Sequence, residues 1–394
     1  MTTNIAPILS EQVEIARSRI SDRLRFALME TSGAFGDLGT FIPLLFGMVS
    51  LCGLQLGPAL VGAGVANLTT GMIFKIPLAV QPMKAIAAVA ISESLTESQI
   101  VAAGIITGAI FLFLAWSGAI QHLDRYIPKS VVRGLQLALG LKLIAGGVHM
   151  MGASWAVFDL VLIGMAAGCV ILGWWIKNFP SALVAFCCGL IVLCFTHQDL
   201  LCTMQLGMDW HLPDLVHWYA WKTAFTAAAL PQIPLTLLNS VFAVCMLSAD
   251  LFPHRPAAAR RVGLSVGLMN VLLCPFGAMP MCHGAGGLAA QYRFGARSGL
   301  CNVILGSALI CLGLVLGNSL LGALQHYPRS ILSVLVIISG GELVLVCRDR
   351  LSRRAWIIPG FTAAVCLILP LWAGFLLAWG IAFAAKRKIN GKGL

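Results

Sequence analysis

Two short stretches of this 394-residue chain place polar residues, prolines and glycines inside long apolar runs. The first, residues 75–91, reads KIPLAVQPMKAIAAVAI, and the second, residues 279–299, reads MPMCHGAGGLAAQYRFGARSG. Proline and glycine interrupt the backbone hydrogen-bond ladder, and the freed N–H and C=O groups are costly in hydrocarbon unless protein or water satisfies them. Irregular backbone in such surroundings therefore indicates a cavity, and a cavity indicates a ligand.

Each stretch predicts a short extended segment followed by a half-helix that is too short to cross a bilayer. If the two half-helices face each other near mid-membrane, their N-termini direct unpaired N–H groups and positive dipole ends into one gap. Lys84 lies in the first turn of one half-helix and His283 near the start of the other, a setting that suits a small anion. The predicted binding residues are Gln81, Pro82, Met83, Lys84, Cys282, His283, Gly284, Ala285, Gly286 and Gly287.

Each of these residues also has a purely structural interpretation. Lys84 could snorkel to the interface or pair with a carboxylate such as Asp37, and His283 could be a hydrogen-bonded core histidine. The glycines could serve helix packing alone. A charge at this depth is costly, however, so a functional role is the default for Lys84.

A second set of residues could couple or support the site. Asp37 and Glu342 are acids inside apolar segments, so either could carry a coupling proton, and Asp37 could instead hydrogen-bond a broken backbone. Gln232 and Asn239 are uncharged amides, which favours hydrogen bonding or packing over proton transfer. Arg297 is either a membrane-surface anchor or part of a network at the cavity. The supporting candidates are Asp37, Thr40, Gln232, Asn239, Arg297 and Glu342.

The composition indicates a polytopic membrane protein. The chain is 59% hydrophobic and 10% charged, with a mean hydropathy of +0.91, whereas soluble domains carry about 25% charged residues. The net charge of +11 is scattered in short clusters between apolar runs, which is typical of loops at the inner membrane face and argues against nucleic-acid binding. The cysteines form no CxxC pair, and no P-loop, HExxH or nucleophile elbow occurs, so we expect no enzyme, cofactor or metal.

The chain divides into two similar halves. We predict a cytoplasmic lead-in at 1–25, seven segments in 26–197, an external connecting loop with an interfacial segment at 198–229, seven segments in 230–385 and a cytoplasmic basic tail at 386–394. Three motifs recur in order: Ile42-Pro43-Leu44 as 233–235, Pro82-Met83 as 280–281, and Pro128-Lys129-Ser130 as Pro328-Arg329-Ser330.

An odd number of segments per half means that the second half enters from the opposite face, an inverted repeat. With both termini inside, the inner side receives all Lys and Arg except Lys84, Lys142, Lys222 and Arg329. We therefore expect a multi-pass protein of the cytoplasmic membrane.

Four segments give the chain a family resemblance. GAFGDLGTFIPLL (33–45) and PMCHGAGGLAAQYRFGARSG (280–299) resemble the signature blocks of the molybdate transporter family, which is related to the sulfate permeases. QPMKAIAAVAI (81–91) and LPQIPLTLLNSVFAV (230–244) are similar to its other recurrent segments. The resemblance covers nearly the whole chain and implies an all-α seven-plus-seven inverted-repeat fold with core and gate domains. It also implies oxyanion binding between the third and tenth segments.

The sequence therefore predicts a secondary transporter that imports molybdate, with sulfate as a second candidate because both are tetrahedral dianions. Proton coupling and an elevator-like movement of the core are expected, and a homodimer is a family-level expectation. Three alternatives stay open: a bicarbonate or nucleobase carrier of the same fold, an anion channel, and an intramembrane enzyme. A nucleobase carrier would be expected to place a carboxylate, rather than Lys84 with His283, at the site.

Overall fold

The computed structural model describes residues 24–123, 128–151, 157–175, 181–198, 206–215, 218–346 and 356–390. Most of the predicted lead-in at 1–25 and the end of the basic tail lie outside this part of the chain. The described part is almost entirely helical and follows the expected order of segments.

The first half contains seven helical segments in the described residues: α1 Leu24–Cys52, α2 Leu56–Phe74, α3 Lys84–Glu93, α4 Glu97–Trp116, α5 Lys129–Met151, α6 Val157–Trp175 and α7 Ser181–Thr196. The second half contains seven more: α8 Trp218–Leu251, α9 Ala259–Leu273, α10 Ala285–Arg293, α11 Leu300–Gln325, α12 Arg329–Val346, α13 Ile357–Ile368 and α14 Leu371–Asn390. Strands β1 (Val80–Pro82) and β2 (Met281–His283) precede α3 and α10. Six of the described helices are long and apolar enough to cross a membrane. The predicted fold class is thus confirmed.

The largest departure from the predicted segments is α8. It begins at Trp218, inside the stretch 198–229 that was expected to be an external loop with an interfacial segment. Trp218 and Trp221 were expected to lie at the membrane interface, and amphipathic aromatics there are also characteristic of the start of a spanning helix. The helix contains two π-helical stretches, Ala224–Ala229 and Thr236–Phe242, on either side of a segment with two prolines. A second departure is α14, which continues into the predicted tail as far as Asn390.

Pairs of glycines bring the helices together. A Cβ on Gly64 of α2 would lie 2.6 Å from the carbonyl oxygen of Gly306 on α11, and one on Gly108 of α4 would lie 3.0 Å from that of Gly267 on α9. On α5, Gly140 approaches Gly340 of α12 in the same way, at 2.6 Å. Small residues permit such close packing between membrane helices, where lipid supplies no hydrophobic drive for association. The repeat relates α2 to α9 and α4 to α11. It therefore converts the α2–α11 pair into the α4–α9 pair, as expected for an inverted repeat.

The two strands form the centre of this symmetry. They pair antiparallel, with Gln81 opposite Cys282, and the flanking bonds Met83 N–H to Pro280 O (2.9 Å) and Gly284 N–H to Ala79 O (3.4 Å) are equivalent. Lys84 and Ala285 begin the two half-helices 201 residues apart. Matching Pro82 with Pro280 gives an offset of 198 residues, three fewer than the offset between the helix starts. The two offsets differ because α3 starts two residues after Pro82, whereas α10 starts five residues after Pro280.

Candidate anion-binding site

The N-terminus of α3 is capped by a side chain from α8. The Oε1 atom of Gln232 accepts hydrogen bonds from the backbone N–H groups of Ala85 (2.8 Å) and Ile86 (3.3 Å). Its Nε2 donates to Thr236 Oγ1 at 2.7 Å, and the Gln232 side chain is 2% exposed. Two of the unpaired donors that begin a helix are thus satisfied within the protein. For Gln232 the sequence favoured hydrogen bonding or packing over a proton site, and the structure places its amide in hydrogen bonds at the start of α3.

Lys84 is the first residue of α3 and is half-buried. Among the described residues its ammonium group has no hydrogen-bond or ion-pair partner. A cation at a helix N-terminus is electrostatically unfavourable because the dipole already places positive charge there. An anion bound next to Lys84 would relieve this repulsion.

The N-terminus of α10 is open where that of α3 is closed. Its N-cap, Gly284, provides no capping side chain, and a Cβ at this position would collide with the amide of Gln81. Gly286 is exposed, and a Cβ there would meet no atom within 4 Å. Ala285 is half-buried, while Gly287 is buried. The first turn of α10 therefore leaves its backbone accessible to a ligand.

His283 is engaged inside the protein. It is fully buried, with Nδ1 3.3 Å from the carbonyl oxygen of Ala79 and Nε2 2.9 Å from Ser265 Oγ on α9. The ring also packs edge-on against Phe74, with 5.7 Å between centroids. Because both ring nitrogens have protein partners, we assign His283 to fixing β2 against α9. Direct contact between His283 and a ligand stays a prediction.

The other strand residues form a buried floor. Gln81 and Cys282 face each other across the strand pair and are 2% and 6% exposed. Pro82 lies opposite Met281, and Met83 is the N-cap of α3. The structure thus brings all ten predicted binding residues to the strand pair and the two helix starts that adjoin it.

Two asparagines anchor these strands to the spanning helices. Asn270 of α9 accepts from Met281 N–H (2.8 Å) and donates to Met281 O (2.6 Å), so it holds both polar groups of one β2 residue. Asn302 of α11 donates to Leu78 O (2.7 Å) and to Asn67 Oδ1 of α2 (3.1 Å). Sequence reasoning missed both, although an asparagine inside an apolar helix is a signal that can be read.

Arg297 lies outside the site. It is exposed in the loop between α10 and α11, where its guanidinium donates to Tyr292 O (2.6 Å) and Ala296 O (2.8 Å). The guanidinium carbon also sits 3.8 Å from the centroid of the Tyr292 ring. Of the two predicted roles, this geometry favours that of a local anchor.

Glu30 on α1 is a buried acid that the sequence analysis overlooked. Its Oε1 accepts from the backbone N–H groups of Arg297 (2.8 Å) and Ser298 (2.9 Å), and its Oε2 from Cys301 N–H (3.1 Å). The carboxylate is fully buried and caps the start of α11. The sequence signal for this role is a single acid in an apolar segment. The glycine-rich break contains backbone N–H groups that need a hydrogen-bond acceptor.

The remaining supporting candidates lie on α1, α8 and α12. Thr40 lies on α1, and Asn239 lies half-buried in the second π-helical stretch of α8. The side chains of Asp37 and Glu342 fall outside the described part of the structure. Within the part that is described, no group of three or more His, Cys, Asp or Glu residues could hold a metal ion.

One ion pair joins the half-helix α3 to α5. Glu93 ends α3, and its Oε1 lies 2.8 Å from Nζ of Lys142 on α5. α5 packs mainly on α12 and α13, and α3 packs on α5 itself as well as on α1 and α8. The ion pair therefore joins α3, which follows strand β1, to a helix on which it already packs.

Comparisons with known proteins agree with the sequence-based resemblance. A family model described as "Molybdate transporter of MFS superfamily" matches residues 29–143 and 224–343. Molybdate transporter 2 of Arabidopsis thaliana is 40% identical over 385 residues, covering 86% of this chain and 82% of that protein. Molybdate transporter 1 of Chlamydomonas reinhardtii is 32% identical over 475 residues, covering 90% and 91% respectively.

Solved structures support the fold. The transmembrane domain of the cyanobacterial bicarbonate transporter BicA superposes with a TM-score of 0.64 at 15% identity, covering 92% of this chain and 97% of that domain. Murine Slc26a9, an anion transporter in an inward-facing state, gives 0.66 at 14% identity over 93% of this chain and 69% of that one. These likenesses show a seven-plus-seven inverted-repeat transporter fold. They carry no information about the substrate.

Proposed function

This chain belongs to the molybdate transporter family, and from that premise we propose that it imports molybdate across the cytoplasmic membrane. Its family makes it a transporter and not an enzyme, and its apolar helices make it a multi-pass membrane protein. Molybdate is the proposed substrate because the curated relatives are named molybdate transporters. Sulfate is a second candidate substrate because it is also a tetrahedral dianion.

The observation that carries the proposal is Lys84, a cation without a partner among the described residues, at the point where two helix N-termini adjoin one strand pair. The dianion would bind the first-turn N–H groups of Ala285, Gly286 and Gly287 and be balanced by Lys84. Backbone donors at a helix N-terminus bind tetrahedral oxyanions without any further specialised group. Gln81 and Cys282 form the floor under the ligand.

Movement would carry this site across the membrane. The core comprises α1–α4 with α8–α11, and the gate comprises α5–α7 with α12–α14. Because β1, β2, α3 and α10 all belong to the core, the core can shift as one body against the gate. This elevator-like movement would expose the bound anion first to one side of the membrane and then to the other. The residues of the site would keep their relative positions throughout. The repeat boundaries 26–197 and 230–385 are proposed on the same basis, with α8 beginning earlier, at Trp218.

Proton coupling is the proposed energy source. The candidates are the intramembrane acids Asp37 and Glu342, because a carboxyl group in apolar surroundings can exchange a proton when a neighbouring charge arrives or leaves. The basic residues favour cytoplasmic termini, and a homodimer is proposed from the family.

Uptake of labelled molybdate into proteoliposomes tests the function. We expect saturable uptake that unlabelled sulfate competes with less well than unlabelled molybdate, and that an inwardly directed proton gradient accelerates. Bicarbonate and uracil serve as competitors for the alternative carriers of this fold. Uptake of uracil at the same rate as molybdate, or no oxyanion uptake at all, would refute the proposal, and currents too large for a carrier would indicate a channel.

A further inference from the structure

A basic pocket lies away from the strand pair, where the end of α2 meets the loop between α8 and α9. Its volume is about 570 Å³, and its lining includes Lys75, His254, Arg255 and Arg261 but no acidic residue. The three Lys and Arg residues are exposed, and none of their side chains has a hydrogen-bond or ion-pair partner within the described part of the chain. Three cations that converge on one cavity without a carboxylate form a site for an anionic group.

An apolar groove continues directly from this pocket. The groove, of about 440 Å³, runs between α2 and α9 and shares Ile73, Phe74 and Arg261 with the basic pocket. Its walls are two stripes with four-residue spacing, which places each stripe on one helix face. The stripes are Val65, Thr69 and Ile73 on α2, and Leu264, Leu268 and Leu272 on α9. Eight residues of helix correspond to about 12 Å of groove.

The groove faces outward from the helix bundle. Ile73 is 69% exposed, Leu272 57% and Leu268 45%. Because α2 is long and apolar enough to cross a membrane and α9 forms the other wall of the groove, we infer that this exposed surface meets lipid rather than water. The basic pocket lies where α2 ends and α9 begins, which is the depth of the headgroups at one membrane face.

We propose that the pocket and the groove together bind one anionic phospholipid, with its phosphate among Lys75, Arg255 and Arg261 and an acyl chain along the groove. Basic clusters at the ends of membrane helices attract anionic headgroups, and arginine pairs with phosphate through parallel hydrogen bonds. The inference does not depend on which substrate the strand pair binds.

Charge and shape together select a lipid over a soluble oxyanion. A soluble anion would occupy the basic pocket alone and leave the adjoining groove unused, whereas a phospholipid fills both with one molecule. The groove wall also includes Phe74 and Ser265, two of the three residues that contact the His283 ring. An acyl chain in the groove would thus contact two residues that help to hold β2 in place.

Native mass spectrometry of the purified full chain in detergent tests the proposal. The probes are phosphatidylglycerol and phosphatidylcholine with identical acyl chains. We expect at least about fivefold greater retention of phosphatidylglycerol, and no preference in the triple variant Lys75→Gln, Arg255→Gln, Arg261→Gln. Equal retention of both lipids by the wild type, or an unchanged preference in the triple variant, would overturn the site.

Two further variants separate the lipid from its headgroup charge. Thr69→Trp fills the exposed groove without changing charge and should lower phosphatidylglycerol retention at least about threefold. Unchanged retention in Thr69→Trp, or displacement of the lipid by an equal concentration of glycerol phosphate, would overturn the acyl-chain assignment.

Lys129→Gln is the matched control. Lys129 is an exposed lysine at the start of α5, outside the pocket. It lies at the same membrane face, because Arg260 of α9 donates to the carbonyl of Ala115 (3.1 Å), near the end of α4, from which the chain leads to α5. This variant should keep the preference, and its loss would show a generic charge effect and overturn the site. Thermal unfolding of each variant in detergent verifies that it is folded.

Discussion

The two half-helices occupy equivalent positions and have opposite chemistry. Ala85 in the first turn of α3 is fully buried and its N–H is capped by Gln232, whereas its counterpart in α10, Gly286, is exposed and opens onto free space. The only cation of the two helix starts is Lys84; its counterpart is Ala285. The two helix starts that adjoin the strand pair thus differ: one carries a charge, and the other leaves its backbone accessible.

In the proposed anion site, this difference would make both halves necessary. α3 alone would offer a charge next to capped N–H groups, and α10 alone would offer open N–H groups without a charge. We propose that their combination across the strand pair gives one site with both. The variants described below change the open start of α10, the charge at the start of α3 or the contacts that hold α3 in place. Their effects test the difference between the two half-helices.

Closing the open side should have the largest effect. Gly286→Leu puts a side chain into the free space beside the α10 N-terminus and should lower molybdate uptake at least about 100-fold, equivalent to about 2.7 kcal/mol. Leucine is about 1 kcal/mol more favourable than glycine in a helix, so the thermal midpoint should not fall. Proteoliposome uptake and thermal unfolding measure the two effects.

Gly360→Leu on α13 is the matched control, since a Cβ there also meets no atom within 4 Å. It should leave uptake near the wild-type rate. Near-normal uptake by Gly286→Leu would show that the first turn of α10 does not bind the anion.

Moving the charge should have the next largest effect. Lys84→Ala should raise the KM for molybdate at least about tenfold, or about 1.4 kcal/mol, because the dianion loses its counter-charge. Adding Ala285→Lys restores a cation at the equivalent position and should recover part of the loss if both helix starts face one anion. The KM from concentration-dependent uptake measures both variants, with Lys222→Ala as a control on the exposed start of α8. No recovery in the double variant would mean that the two helix starts do not share a ligand.

The sequence predicted the positions of the two half-helices better than the hydrogen bonds that hold them. Residue types and proline positions located both half-helices, and the uncapped start of α10 follows from its glycines. Gln232 was expected to hydrogen-bond, but its partners, Ala85 and Ile86, lie about 150 residues earlier. Only the tertiary fold brings them together, and the same is true of Ser265 with His283. The sequence could not give the offset between the repeats near Pro82 either. The number of residues between the proline and the half-helix differs between the two halves.

The ion pair between Glu93 and Lys142 gives a smaller test of the repeat. Arg293 ends α10 as Glu93 ends α3, and the 200-residue offset between the starts of α5 and α12 makes Glu342 the counterpart of Lys142. We therefore predict that Arg293 and Glu342 form a second pair with the charges exchanged. Partly exposed ion pairs contribute up to about 1 kcal/mol. Lys142→Glu should therefore slow uptake only about two- to fivefold, and Glu93→Lys with Lys142→Glu should restore it.

The same reversal at Arg293 and Glu342 tests the predicted counterpart. Arg293→Glu should slow uptake to a similar extent, and Arg293→Glu with Glu342→Arg should restore it. If the second double variant is no better than its single parent, Glu342 does not pair with Arg293, and its role as a proton carrier gains support.

Removing the cap on the closed side should have the smallest effect. Gln232→Ala leaves the N–H groups of Ala85 and Ile86 without an acceptor, and loss of a helix cap costs about 1 kcal/mol. The thermal midpoint in detergent should fall by about 1–3 °C, while the KM for molybdate should change less than in Lys84→Ala. Asn239→Ala on the same helix is the control and should leave the midpoint unchanged. A rise in KM as large as that of Lys84→Ala would mean that Gln232 meets the anion itself, and the division between a charged, closed helix and an open one would then fail.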